Sequence, residues 1–488
     1  MKGTARQGNL SGTLAISRVN VLDCIGKVGG LARQISPSLT NGPLRQTITT
    51  LSALLLSVGI LLTGSGLQGT LLAVRGNLEG FQPSMIGMMM SGYFAGFIAG
   101  CVVGPLIVRR VGHIRAFSVF AAIAASVFLL HAIVVDPYVW TGLRVISGIS
   151  LAGLYMIIES WLNERSPNEL RGSVISIYRI VDLTATTGGL LLLTLGDPED
   201  YPLFCLGAIL ICLALVPVGL TRSAVPAPIS TVKIRIGRLY RLSPLGVVGC
   251  FGFGVVSGAF WGMGPVFAQA GGVPLSGVAI FMAAVMIGGA LAQWPVGWLS
   301  DRYDRRTILA GTVFLASLSG LILIGLYGMP PQFLLVGSAL FGALMIPVYS
   351  LCISHANDYM EPGDFVEASS GLLLLNGAGA VIGPLFASIL MEATDARALF
   401  AFTALVHAAM GGFALYRMTR RPPKPAEEQG DFIAVPRSTP AVFQLDPRAE
   451  EEQPEGETMA SAPASAPGAS APGASSSDES DPSDETQR

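Results

Sequence analysis

Twelve apolar stretches constrain this chain more than any other feature of its 488 residues. Each has about the 20 residues needed to cross a hydrocarbon core of about 30 Å. They fall near 48–72, 84–108, 114–134, 139–162, 172–194, 202–221, 245–269, 276–299, 307–328, 332–355, 366–391 and 397–417. Backbone surrounded by lipid must satisfy its own hydrogen bonds, and separate runs of this length do so as helices. The expected class is therefore an all-α membrane protein with twelve transmembrane helices. Composition agrees: 13% of residues are charged, where a soluble domain carries about 25%. The 59 glycines suit helices that approach closely in lipid.

Loop charge gives the orientation. In the N-terminal segment and the loops, nineteen Lys and Arg residues fall on one side of the expected bundle, beginning with Lys2, Arg6, Arg18, Lys27, Arg33 and Arg45, against only Arg75 and Arg397 on the other. Basic loops stay inside, so an inner-membrane protein with both termini cytoplasmic is expected. Residues 1–45 are a basic segment without the pattern of a cleaved signal, and the spacing of Ile16, Val19, Leu22, Ile25 and Val28 would also let them lie on a membrane surface. Residues 46–221 form a first set of six spans and 245–418 a second, with a basic linker at 222–244 between them. From 419 to 488 the chain turns to Pro, Ala, Ser, Glu and Asp, and a disordered cytoplasmic tail is expected.

The two sets of spans echo each other at a separation of about 190 residues. Arg110, Val111, Gly112, His113, Ile114 and Arg115 follow the second span, and the run from Gly297 to Arg306 closes the eighth. Ser160–Glu164 at the end of the fourth span parallels Ser354–Asp358 at the end of the tenth. The run Gly297 to Arg306 resembles the signature loop of the major facilitator superfamily, G-x-L-x-D-R-x-G-R-R, with Asp304 at the usual glycine. In the first-half copy Arg109 stands where the acid is expected. Within that superfamily Glu159–Asn163, Gln293–Arg306 and His355–Asp358 resemble the YcaD-like subgroup. The resemblance implies the major facilitator fold of two six-helix halves, with a solute site between them and alternating access by rocking.

Candidate residues divide into a gating loop and an intramembrane set. Gly297, Asp301, Arg302, Arg305 and Arg306, with Arg110 and Gly112 in the first half, form the loops. Asp301 beside Arg302 and Arg305 can build a charge cluster that holds one conformation, or the turn can simply be solvated. Charges at membrane depth are costly unless paired or wetted, which singles out Asp182, three residues after Arg179 on one helix face. That pair could bind solute, relay a proton or tie helices together.

Arg144, followed by Gly148, resembles the arginine-glycine pattern of proton-coupled members, and could equally snorkel to the outer interface. Glu159 lies nearer the inner end of the same span, within reach of water. His355, Asn357 and Asp358 adjoin an acidic loop that could accept the basic loop of the other half or attract a cation. Gln68, Gln269, Gln293, Asn376 and Trp261 mark the expected cavity, with Thr63, Ser65 and Tyr178 nearby.

The remaining features exclude chemistry. Cys24, Cys101, Cys205, Cys212, Cys250 and Cys352 lie singly, without metal-ligand spacing, and read as packing residues. Met85, Met88, Met89 and Met90 lack a second soft-ligand cluster, so metal transport is disfavoured. There is no HExxH and no Walker-type G-K-[ST], so neither an enzyme nor an ATP-driven pump is expected, and no cofactor. The expected partners are a small-molecule substrate, a proton or other ion gradient and membrane lipid, with no nucleic acid. A sensor or scaffold on the same fold is the alternative to a transporter.

Overall fold

The computed structural model describes residues 42–167, 170–220, 235–360 and 365–420, positions 422, 424, 429, 430 and 432, and residues 438–445. The surface helix considered for the N-terminus, and most of the linker, lie outside the described residues.

Twelve helices are long and apolar enough to cross a membrane. They are α1 (Leu51–Leu78), α2 (Pro83–Val111), α3 (His113–Ile133), α4 (Pro137–Arg165), α5 (Arg171–Leu195), α6 (Pro202–Gly219), α7 (Pro244–Ala270), α8 (Leu275–Ser300), α9 (Arg305–Gly325), α10 (Pro331–Asn357), α11 (Phe365–Ala393) and α12 (Ala398–Met418). Among the described residues there is no strand. The largest displacement from the expected boundaries is at α1, which runs six residues past 72; Arg75 on its last turn pairs with Glu79 just beyond it, and Arg75 Nη1 donates to Pro198 O at 3.0 Å. Several starts follow from local sequence: Pro83, Pro137, Pro202, Pro244 and Pro331 each occupy a first helical turn, where a missing N–H costs nothing. Asp136 adds a cap to α4, accepting from the amides of Tyr138 and Val139 at 2.9 Å.

Within each half, paired helices meet backbone to backbone. A Cβ at Gly96 of α2 would lie 2.0 Å from Val145 O of α4, and one at Gly148 of α4 would lie 2.1 Å from Tyr93 O of α2. The counterpart contact joins α8 to α10: Cβ atoms at Gly288 and Gly342 would lie 2.0 Å from Ala339 O and 2.1 Å from Val285 O. The internal repeat therefore includes the same close approach at the same place in both halves. Without a hydrophobic force between helices in lipid, such contact is what dispersion and packing can hold together. Large side chains such as Leu315, Leu318 and Leu321 on α9 face outward, as lipid-facing positions should.

The halves meet through α2 with α11 and α5 with α8, helped by α1 with α7. At the end away from the basic loops this seam is direct: Asn77 Nδ2 donates to Gln269 Oε1 at 3.2 Å, the Ser84 amide to Glu392 Oε2 at 3.0 Å, and a Cβ at Gly87 would lie 2.0 Å from Ser388 Oγ. At the basic end a piece of the C-terminal segment sits between the halves. The 3-10 turn Pro440–Leu445 touches α4 and α5 on one side and α11 on the other. The expectation of a tail without structure from 419 onward thus does not hold for these residues. Averaged composition hid Val442 and Phe443, both fully buried, with the Phe443 ring 6.5 Å from that of Phe365.

Candidate functional site

Between the halves lies a cavity of about 540 Å³, floored at the basic end by Ser438 and Pro440 of the C-terminal segment. Arg144 reaches it from α4. The residue is 4% exposed, its guanidinium lies over the Tyr93 ring at 4.3 Å, and Nη2 donates to Met90 Sδ at 3.7 Å. It does not snorkel: α2 packs so closely on α4 at Gly148 that the side chain is held over Tyr93, inside the bundle. Arg179 and Asp182 of α5 form an ion pair at 2.6 Å on the cavity wall, each side chain less than a fifth exposed. Two charges one helical turn apart cancel locally, which lowers the cost of holding either at this depth.

Glu159 does not reach water as its position near the end of α4 suggested. It is fully buried, accepts from Tyr178 Oη at 3.1 Å and also from Thr439 Oγ1 of the C-terminal segment. A carboxylate near a helix end would ordinarily be wetted, and here the docked turn covers it.

The loop between α8 and α9 is built around Arg305, 1% exposed. Its Nη1 lies 2.8 Å from both carboxylate oxygens of Asp358, Nη2 donates to Asp301 Oδ1 at 3.1 Å, and Nε donates to Ser300 Oγ at 2.9 Å. Asp358 therefore pairs within its own half, where the sequence allowed the basic loop of the other half. The reason is positional: Asp358 ends α10 and Arg305 begins α9, and these helices pack together. Burial pushes the Asp358 carboxyl up, and the Arg305 guanidinium and the Gly430 amide oppose that. Arg306 bonds Asp304, while Arg302 lies on the Trp298 ring at 3.9 Å. In the first-half loop Gly112 takes φ +82°, and Arg110 is exposed.

Two family comparisons cover both halves. The sequence model described as Major Facilitator Superfamily matches residues 246–448, and the one described as Sugar (and other) transporter matches residues 73–195. The chain belongs to the major facilitator superfamily. It is a multi-pass membrane transporter by family, with the twelve-helix, two-half fold of that family.

Among its relatives, the uncharacterized MFS-type transporter YcaD of Salmonella arizonae is 27% identical over 66% of this chain and 83% of that protein. The uncharacterized MFS-type transporter YE1530 of Yersinia enterocolitica is 26% identical over 72% of this chain and 89% of its own length. Solved structures share the fold at low identity. The nucleoside transporter NupG has a TM-score of 0.61 at 14% identity, covering 76% of this chain and 99% of its own. A bacterial homolog of the lysosomal transporter Spinster, inward-facing and unoccupied, has a TM-score of 0.56 at 14% identity, covering 85% and 100%.

The other expected residues of this transporter separate into two groups. Gln68, Trp261 and Asn376 line the cavity along with Tyr178. Gln269 is instead part of the seam at the far end, because its place on the last turn of α7 puts it level with Asn77. Gln293 is buried within α8, away from the cavity lining. Asn357 Oδ1 accepts from Ser369 Oγ at 3.5 Å, and His355 meets Tyr359 edge to face with ring centroids 5.2 Å apart, so both brace the end of α10. Sequence reasoning missed Tyr93, Tyr155 and the turn at Ser438–Pro440. Tyr93 was findable, lying on the face of α2 opposite Gly148, but the turn required knowing what the tail touches.

Proposed function

We propose that this chain is a secondary active transporter that moves a small solute through the central cavity by alternating access, driven by a proton gradient. The carrying observation is the Arg179–Asp182 pair on the wall of a cavity walled by both halves. A carboxylate that exchanges its arginine partner for a proton or for solute couples the two fluxes. Residues 46–221 and 245–418 are the moving halves, joined by 222–244, in an inner membrane with both termini cytoplasmic. The fold similarity to a structure titled D-xylose-proton symporter, at a TM-score of 0.57 and 13% identity, supports this reading at the level of architecture.

The test is flux in proteoliposomes. Solute uptake should rise with an imposed pH gradient and collapse with an uncoupler. Asp182→Asn should keep solute exchange while losing the response to the gradient. Gradient-driven accumulation undiminished in Asp182→Asn would remove that residue from coupling, and no flux for any solute of a broad panel would overturn the function.

A further inference from the structure

We propose, resting on the reading of the cavity as the solute site, that the solute is a monoanionic organic acid with an apolar or aromatic body, its carboxylate held by Arg144 and Gln68. Arg144 is buried, and its Nε has no partner. The two intramembrane acids of the first half are engaged elsewhere: Asp182 with Arg179, and Glu159, about four turns along α4 from Arg144, with Tyr178 and Thr439. Among the described residues Arg144 therefore has no carboxylate of its own, and the Tyr93 face offsets only part of the cost of its charge. Gln68 of α1 lines the same cavity and is 1% exposed. Its Oε1 accepts from Ser147 Oγ at 3.0 Å, one turn along α4 from Arg144, which leaves Nε2 without a partner.

Two buried donors without partners, on residues that both line the cavity, suit an acceptor, and a guanidinium together with an amide suits a carboxylate. One uncompensated positive charge balances one negative charge, so a doubly charged phosphate fits less well. Phe94, Phe97, Tyr155 and Trp261 line the same cavity and would take the body of the acid.

The experiment uses the full-length protein in detergent and matched probes: benzoate and 3-phenylpropionate, against benzamide and benzylamine. Affinities are measured by calorimetry and thermal shift. The acids should bind at least about tenfold more tightly than the amide or the amine, as expected for a desolvated charged contact. Arg144→Gln should erase that preference, and Arg144→Lys should retain part of it. Equal binding of amide and acid, no binding of either acid, or an acid preference unchanged in Arg144→Gln would each overturn the assignment. If Arg144→Gln does not fold, the matched probes on the parent and the lysine variant still decide. Counterflow separates this from the broader reading: acids that bind but never cross would sink the transport function alone, and flux of a neutral or cationic solute without acid binding would sink the acid alone.

A different set of contacts carries a second proposal. We infer that Lys424, Gly430, Phe432 and the turn at residues 438–445 form a latch that closes the basic end of the cavity and has to leave before the halves can rock. Lys424 Nζ donates to Asp358 O at 2.5 Å, the Gly430 amide to Asp358 Oδ1 at 3.1 Å and the Phe432 amide to Asp301 Oδ1 at 2.9 Å, while Gly430 O accepts from Arg305 Nη2 at 2.6 Å. The Phe432 ring lies where a Cβ of Gly297 would be, 2.4 Å away. Thr439 then holds Glu159 of the first half. These described C-terminal residues thus bond the signature loop of one half and a buried acid of the other, at the basic end of the cavity.

Cys101 lines the cavity and reports on its opening. Maleimide labelling of Cys101, resolved by peptide mass analysis in proteoliposomes, should be slow in the parent. It should be at least about tenfold faster in Phe443→Asp and after deletion of residues 422–488, since release removes the cost of opening. Equal labelling rates in parent and deletion would overturn the latch.

Discussion

The turns after α2 and after α8 occupy the same place in the repeat and are held by different forces. After α8 the turn is a charge network: Arg305 joins Asp301, Asp358 and Ser300, nearly without solvent. After α2 there is no acid to match, and Arg109 stands in its place. That turn rests on Gly112 at φ +82° and on His113, whose Nε2 lies 3.3 Å from Ser160 Oγ and whose ring lies 6.0 Å from Trp161. A repeat preserves geometry more faithfully than it preserves the interactions that maintain it. The electrostatic copy also has acceptor and donor capacity to spare for a third element, and it is the copy that engages the C-terminal segment.

The sharpest way to break this contrast is Arg305→Gln, which strands Asp358 in a buried site. Removing one partner of a buried pair costs about 3–5 kcal/mol, so a large fall in the detergent melting temperature is expected, with partial recovery on adding Asp358→Asn. A fall no larger than that of a surface charge would mean the network is not what holds the turn. In the first-half turn the corresponding weak point is backbone: Gly112→Ala should cost about 1 kcal/mol, because φ +82° strains any residue with a Cβ, although the space there is open.

A smaller effect distinguishes the two turns by pH. Burial acts against ionisation of Asp304, but the hydrogen bonds from the Arg306 side chain and amide outweigh it and hold the carboxyl below its ordinary 3.8. A depressed carboxyl stabilises the fold above the unfolded value and loses that contribution as pH falls through the folded one. The melting-temperature gap between parent and Asp304→Asn should be full near neutrality and close in acid below 3.8. A gap that widens in acid would reverse the sign. The smallest effect should come from Arg110→Ala, exposed on the first-half turn, within about 0.5 kcal/mol of the parent by thermal unfolding.

Span number and the two-half architecture were legible because lipid imposes one requirement on every span, and hydropathy reports it directly. Pairs close in sequence were legible too: Arg179 with Asp182 follows from helical spacing alone. Contacts between distant elements were not. Nothing in the run around Glu159 shows that Tyr178 and Thr439 will enclose it, and nothing near Asp358 chooses Arg305 over a basic loop of the other half. The C-terminal turn was missed for a related reason: two apolar residues in a long polar stretch vanish from an average, yet they are enough when a matching groove exists. Gln269 and Gln293 show the converse error, since polarity at membrane depth marks a hydrogen bond as readily as a binding surface.

The glycine contacts between α2 and α4, and between α8 and α10, bear on how a mutational map of this protein would look. At Gly96, Gly148, Gly288 and Gly342 even a methyl group would overlap a carbonyl oxygen of the neighbouring helix, so alanine there would be rejected as firmly as tryptophan. In a saturation scan scored by growth or uptake, these chemically inert positions would stand out as sharply as the residues facing the cavity. Scoring protein abundance in the same library would separate the two classes, because the inert positions would lose protein and the cavity positions would lose only transport.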